Sequence, residues 1–372
     1  MRFTIITHVE HKKVEGKYYA YLPYVREMNL WLNHVDEVEV VAPLCSGNIS
    51  KIDTPYDHSN LKFRQIPSIQ FTSLMHSVGS ILKLPFILFS IFRACLKSDH
   101  IHLRCPGNIG LLGCFIQMLF PKKLKTAKYA GNWDSNSKQP WSYKLQQHIL
   151  ANTALTKNMK VLVYGEWEDQ TKNIKSFFTA SFRNNENVEV GERNYKGLLK
   201  FVFVGSLVKG KRPLFAIKVI QRLREHGVDA CLELFGDGIM KDEIDNYIET
   251  RNVSNFIKVR GNQTTETLKH ALMEGHFIIL PSKSEGWPKA LAEGMFFGAI
   301  PIGTKISCVP YMLGHGSRGL LIPSNIEKAV KIILDHITDE NKLKEMSRLS
   351  CDWSRKFTLD TFEQEIVKLL KN

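Results

Sequence analysis

The sequence has no Cys-x-x-Cys pair, no Asp-x-Asp at a strand end, no internal repeat, no low-complexity tract and no unbroken apolar run of bilayer-spanning length. Each absence excludes something. Its seven cysteines, Cys45, Cys95, Cys105, Cys114, Cys231, Cys308 and Cys351, are scattered singly and odd in number. They exclude a disulfide framework and a cysteine zinc site, and imply reduced thiols in a cytoplasmic protein. Met1 runs directly into the apolar strand RFTIIT, so no signal peptide is expected. The most apolar window, Ile81–Leu96, is interrupted by Lys83, Pro85 and Arg93 and is too short to span a bilayer. A core helix is expected there, with a membrane-surface helix as the alternative. No zinc-finger spacing, RNA-binding aromatic signature or helix-turn-helix pattern occurs, so nucleic acid is not expected as a partner. Acid is scarce beside base: 37 Asp and Glu against 50 Lys and Arg leave a net charge of +13. Met1 to Gly165 alone holds 20 basic and 10 acidic residues. That imbalance calls for an anionic acceptor or an anionic lipid surface, and Lys122, Lys123, Lys125 and Lys128 form its sharpest cluster.

What is present is an alternation of strand and helix signals. At 372 residues, 44% hydrophobic and 23% charged, the chain reads as two soluble α/β domains. In the first, strands are expected at Phe3–Thr7, Val38–Ala42, His100–Leu103, Ala127–Ala130 and Lys160–Tyr164. Helices are expected at Pro23–Asn33, Leu82–Lys97 and Ile109–Phe120. HVEHKKVEGKYY reads as a loop containing Gly16, for which a turn glycine is the simplest account. RCPGN, Arg104 to Asn108, and GNWDSNS, Gly131 to Ser137, follow strands and point toward the presumed cleft. The polar stretch Arg183–Lys196 lacks apolar periodicity and reads as an interdomain linker, giving domains 1–186 and 187–372. In the second domain, KFVFV (Lys200–Val204) leads into GSLVKGKRP, where Lys209, Lys211 and Arg212 gather charge before a helix at Pro213. A diphosphate cradle and a solvated surface are both open readings of that turn. CLELF (Cys231–Phe235) ends in Gly236-Asp237-Gly238, and IKVR (Ile257–Arg260) ends at Gly261.

The densest chemistry lies in PSKSEGWPKALAEGMFFG, Pro281 to Gly298. HFIIL before it is a strand apolar enough to be buried on both faces. Pro288 suits a first helical residue, and Gly298 suits a helix cap. Between them the helix is apolar nearly all round, so Glu293 faces a crowded interior and needs a partner. Glu285 precedes the helix, where the amides of Gly286, Trp287, Lys289 and Ala290 favour an oxygen-rich ligand. A first-turn dipole partner and a core salt bridge are the alternative roles for the two carboxylates.

Glu285, seven residues and Glu293, set in SEGWPKALAEGMFFGAIPI, resembles the E-x7-E motif of the retaining family-4 (group 1) glycosyltransferases. The resemblance runs from about Leu199 to Leu321 and is weaker before it. It implies the GT-B fold: two Rossmann-like doubly wound domains facing each other across a cleft, with the last segment, 353–372, crossing back to the N-terminal domain. It also implies transfer of a sugar from a nucleotide-sugar, a UDP-sugar ahead of GDP-mannose, to an acceptor hydroxyl with the anomeric configuration kept. The acceptor would be lipid-linked or an oligosaccharide, in cell-surface polysaccharide or glycolipid assembly, with the protein cytoplasmic or peripheral on the inner membrane face. By the same resemblance Glu285 lies near the transferred sugar, Glu293 holds the ribose, and Lys211 binds the diphosphate. Gly16, Gly205, Lys209, Arg212, Gly236, Gly238, Arg260, Gly286, Trp287, Pro288 and Lys289 complete the donor set. Arg104, Asn132 and Asp134 are the acceptor or sugar candidates. Two positions depart from the family: Ser206 stands where arginine is usual, and Asn132 and Asp134 replace a common histidine. No metal and no cofactor are expected, because the nearest acid pair, Glu243-Ile244-Asp245, sits in a polar helical pattern. A nucleotide-sugar epimerase of the same fold, and a non-catalytic basic nucleic-acid or lipid-surface protein, are the other readings. The first would act on a nucleotide-sugar alone; the second would be indifferent to Glu285.

Overall fold

A computed structural model of the protein describes residues 1–50, 52–69, 74–168 and 170–371, with the side chains of 74–78 outside that description. The chain divides into two compact units, Met1–Phe178 with Phe362–Asn372, and Thr179–Thr361.

The first unit contains β1 (Arg2–Ile6), β2 (Lys12–Val14), β3 (Lys17–Tyr21), α1 (Leu22–Leu32), β4 (Glu37–Pro43), β5 (Asp53–Pro55), β6 (Leu61–Ile66), α2 (Leu74–Lys97), β7 (His100–Cys105), α3 (Asn108–Ile116), β8 (Leu124–Tyr129), α4 (Trp141–Ala151), β9 (Met159–Tyr164) and β10 (Ile174–Phe177). Seven strands form one parallel sheet in the order β10-β9-β8-β7-β1-β4-β6. β2, β3 and β5 form a separate antiparallel sheet. The loop expected around Gly16 is therefore a hairpin. Glu15 (φ 48°) and Gly16 (φ 79°) are its two turn residues, both left-handed as a tight hairpin of this hand demands. Its strands are short and lysine-rich, so they carry no apolar alternation for a sequence reading to find.

The lysine cluster is also redistributed. Lys125 and Lys128 lie on β8 inside the sheet, 2% and 1% exposed. Lys125 donates to the carbonyls of Gln117 (3.3 Å) and Phe120 (3.0 Å), and Lys128 to Phe178 O (2.8 Å). The Lys128 ammonium also lies 4.6 Å and 4.4 Å from the ring centres of Tyr164 and Phe177. Lys123 donates to the carbonyls of Leu96 and Ser98. Only Lys122 is left exposed, because a buried ammonium needs acceptors and here the backbone supplies them.

The second unit contains β11 (Leu199–Val204), α5 (Pro213–Glu225), β12 (Ala230–Phe235), α6 (Lys241–Thr250), β13 (Ile257–Gly261), α7 (Thr265–Glu274), β14 (Phe277–Leu280), α8 (Lys289–Phe296), β15 (Ile300–Thr304), α9 (Val309–Met312), β16 (Leu320–Ile322), α10 (Ile326–Ile337) and α11 (Glu340–Ser354). Its parallel sheet runs β13-β12-β11-β14-β15-β16. In local numbering that is 3-2-1-4-5-6, the doubly wound order whose switch point lies between β11 and β14. The expected linker lies within this unit. Arg193 ties it down, donating to the carbonyls of Gly275 (2.9 Å), Met273 (2.9 Å) and Phe297 (2.6 Å). The last helix, α12 (Leu359–Lys371), begins in the second unit and from Phe362 belongs to the first. The amphipathic segment from Trp353 is thus not one helix. It breaks between Ser354 and Leu359, where Thr358 Oγ1 accepts from the amide of Thr361 at 3.2 Å.

Candidate functional site

Two loops leave the sheet of the second unit at its switch point: 205–212 after β11, and 281–288 after β14. A backbone bond from Lys283 N to Gly210 O (2.8 Å) joins them. Lys211 Nζ then reaches Glu285 Oε1 at 2.6 Å. The Glu285 side chain is 8% exposed and that of Lys211 31% exposed, so the carboxylate is sunk while the ammonium keeps an open side. Ser307, at φ 52°, donates its hydroxyl to Glu285 O, and Cys308 Sγ lies 2.8 Å from Gly286 O. The loop between β15 and α9 therefore pins the carboxylate loop from behind. Burial, with Glu285 adding to it, pushes the Cys308 thiol well up, so it stays a neutral donor.

The helix begins one residue later than the sequence suggests. Pro288 (φ −74°, ψ 83°) is the N-cap of α8, and Gly298 at φ 80° closes the other end through Gly298 N to Met295 O, 2.9 Å. One expected ligand amide is already engaged: Lys289 N donates to Trp287 O at 2.9 Å. The Trp287 ring is committed to packing. It is 7% exposed, stacks on Trp353 at 5.9 Å and meets Phe357 edge-on at 5.5 Å, which anchors the loop against the end of α11.

Glu293, on α8, bonds Ser181 Oγ at 2.5 Å. Burial raises its pKa, opposed by Ser181 and by the charge of Lys289. A cavity of about 10 Å³, lined by Ser181, Phe182, Lys289, Glu293 and Ser354 among others, adjoins it. The two carboxylates of the motif thus have separate partners, Lys211 for one and Ser181 for the other. Ser181 was not legible as a site residue, since it lies 112 positions from Glu293 in a segment with no periodicity.

Glycines shape the remaining edge. A Cβ on Gly236 (φ 138°) would stand 2.0 Å from Gly205 O, and one on Gly238 would stand 2.6 Å from Leu207 O. The backbones run this close because Gly205 N bonds Phe235 O, Leu207 N bonds Asp237 O and Gly236 N bonds Gly261 O, each at 2.9 Å. The three turns after β11, β12 and β13 are laced into one bare-backbone ledge. Lys209 and Ser206 are exposed on the first of them. Arg212, at φ 57°, turns to Ser324, donating to its Oγ (3.0 Å) and O (3.1 Å), and stacks over Phe215. Arg260 pairs across the sheet with Glu233.

In the first unit the acceptor candidates have local partners. Arg104 is bound to Glu27 at 2.8 Å and lies over the Tyr24 ring. Asn132 Oδ1 accepts from Asp134 N, and Asp134 Oδ1 from Asn136 N, both at 2.9 Å, so these side chains build their own turn. Gly16 occupies the hairpin turn described above.

Residues 184–350 match the family model for glycosyl transferases group 1. The chain is similar to an uncharacterized glycosyltransferase of Methanocaldococcus jannaschii, 27% identical over 158 residues, 42% of this chain and 43% of that one. It is also similar to the putative colanic acid biosynthesis glycosyltransferase WcaL of Escherichia coli K12, 26% identical over 138 residues, 36% of this chain and 34% of that one. These alignments span less than half the length of either relative. In fold it resembles HepE of Anabaena, solved in complex with UDP, with a TM-score of 0.67 at 13% identity over 100% of this chain and 99% of that one. The match to the glycosyl transferases group 1 model thus covers residues 184–350 of the second unit, and the chain's two doubly wound units have the GT-B fold.

Proposed function

We propose that this protein is a retaining glycosyltransferase that moves a sugar from a nucleotide-sugar, a UDP-sugar ahead of GDP-mannose, to an acceptor hydroxyl in polysaccharide or glycolipid assembly. The observation that carries this reading is the Lys211–Glu285 pair at the switch point of a doubly wound sheet, where such folds take phosphorylated ligands. The relative named for colanic acid biosynthesis and the HepE complex with UDP support it. The diphosphate leaves as an anion while the sugar becomes oxocarbenium-like, so the barrier falls where positive charge waits for the leaving group. Lys211 supplies that charge, and Glu285 holds the ammonium in place from its buried side while standing next to the sugar. Glu293, kept in position by Ser181, takes the ribose. The glycine ledge at 205, 236 and 238 lets the nucleotide approach bare backbone. The leaving phosphate itself receives the acceptor proton, and no metal takes part. The acceptor is lipid-linked or an oligosaccharide, on the cytoplasmic side of a membrane.

Calorimetric titration of the protein with UDP, GDP and uridine tests this. UDP should bind in EDTA, and Lys211→Ala should lose about 10²-fold in UDP affinity while uridine affinity changes little. Glu285→Gln should lower turnover about 10²- to 10³-fold with modest loss of UDP affinity. Equal losses for UDP and uridine in the lysine variant, or UDP binding that requires Mg²⁺, would overturn the assignment.

A further inference from the structure

We propose that the exposed face of α2 docks on an anionic membrane surface. Leu82, Phe86, Phe89, Arg93 and Leu96 recur at i, i+4, i+7, i+11 and i+14, a single stripe along the helix. The four apolar members are 77%, 57%, 58% and 57% exposed. A stripe of this size left uncovered on a helix is a contact surface rather than ordinary surface scatter. The opposite side of the same helix carries Ile87, Ile91, Ala94 and Cys95, all at 0% exposure in the core of the first unit. Gly79–Lys97 has the length and hydropathy of a membrane span. Spanning, however, would tear that buried face from the sheet, so the helix lies along the surface it meets.

Charge identifies the occupant. α2 contains no Asp or Glu, and Lys83, Arg93 and Lys97 flank or interrupt the stripe. The Arg93 guanidinium sits 5.6 Å from the Phe89 ring centre, an aromatic and a cation at one depth. The nearest acid in sequence, Asp99, is tied to the amide of Arg2 at 2.7 Å. Two further exposed residues, the apolar Leu119 (62% exposed) and the basic Lys122, lie within two positions of Phe120 in sequence. Phe92 of α2 and Phe120, with ring centres 5.4 Å apart, bring this segment against the helix. An apolar strip rimmed by cations matches acyl chains beneath anionic headgroups. A second copy of this chain would bring Lys83, Arg93 and Lys97 against their own equivalents, which repel. The surface belongs to the first unit and stands whether or not the second unit binds a nucleotide-sugar.

The test is co-sedimentation of the whole protein with vesicles of phosphatidylcholine, with and without phosphatidylglycerol. Binding should be at least tenfold tighter to the anionic vesicles and should reverse as salt rises from about 0.1 to 0.5 M. Phe86→Glu/Phe89→Glu should weaken it at least tenfold with the thermal midpoint unchanged. Leu82→Glu, at the most exposed position, should weaken it in the same direction. Equal binding to both vesicle types, or parental binding by the folded variants, would overturn the proposal. So would a dimer in sedimentation velocity that Leu82→Glu dissolves. UDP titration of the same samples separates this outcome from the donor-site reading, since loss of vesicle binding with intact UDP binding bears on α2 alone.

Discussion

The two parallel sheets share one winding order but place their polar groups differently. In the second unit, β11 and β14 bury Phe201, Val202, Phe203, Phe277, Ile278, Ile279 and Leu280, and the one charged residue on them, Lys200, is half-exposed and paired with Glu274. In the loops beyond the strand ends Lys211 and Glu285 meet across the switch point. In the first unit, β7 and β8 carry His100, His102, Lys125, Thr126 and Lys128 within the sheet, all 2% exposed or less. The corresponding switch point, between β1 and β7, is occupied by packing: a Cβ on Gly107 would lie 2.5 Å from His8 Nδ1, and Arg104 is closed off by Glu27. Polar residues inside a sheet depend on neighbours for partners, as Lys125 and Lys128 do on backbone carbonyls, and act on stability. Polar residues at its open edge keep capacity for a ligand. The same topology is therefore closed by packing at the switch point of one unit and holds the candidate site at that of the other.

Acid should expose the difference most strongly. Burial displaces His11 and His100 to about 4 and lowers His102 as well. Unfolding releases each to the ordinary range near 6.5, so the unfolded state binds more protons between those values. The stability these histidines hold is complete above pH 6.5 and is lost as pH falls toward 4, at about 1.4 kcal/mol per pH unit and histidine. In the second unit His276 is displaced the same way, but Glu293 is raised and gains from acid. Hydrogen exchange read by mass spectrometry from pH 7 to 4.5 should show the first unit opening before the second. Simultaneous opening would break the comparison.

Lys128→Ala comes next, with an expected cost of ~3 kcal/mol in denaturant unfolding, from a cavity among aromatic rings and the loss of the hydrogen bond to the Phe178 carbonyl. Lys122→Ala, exposed at the end of the same cluster, should stay within about 0.5 kcal/mol. Similar costs for the two would mean that the sheet interior does not depend on its lysine. A smaller effect is expected at the open edge: Ser181→Ala removes one hydrogen bond to Glu293 and should weaken UDP binding by about 1 kcal/mol, roughly fivefold, without changing the unfolding midpoint much. A shift in the midpoint with UDP affinity intact would move Ser181 from the site to the fold.

Legibility followed the same division. The strand-turn-helix at Pro281–Gly298 was readable because an apolar strand, a proline, two acids and a glycine lie in one continuous stretch, and α8 departs from it by one residue at its start. The paired glycines at 236 and 238 were readable as a turn, although only the structure shows that Gly205 O and Leu207 O leave no room for a side chain. The cluster from Lys122 to Lys128 misled, because consecutive residues of a strand point to opposite faces and a sequence does not say which strands are covered on both. The hairpin at Gly16 escaped notice for want of apolar alternation. α2 begins at Leu74, eight residues before the expected start, and runs through Pro85 with Ile87 and Ile91 packed in the core.

The sequence by itself determined the α/β winding, the position of the chemically dense loop and the excess of base in the first half, because these depend on neighbours along the chain: strand periodicity, helix stops and local composition. Only the tertiary structure decided which charges are available. Lys211 and Glu285 are 74 residues apart, and Ser181 and Glu293 112, and each pair exists only because strand order brings the segments together. Lys128 and Arg93 are equally basic in sequence; burial turns the first into a core hydrogen-bond donor and leaves the second on the surface, since solvation, and not residue type, sets what a charge can do.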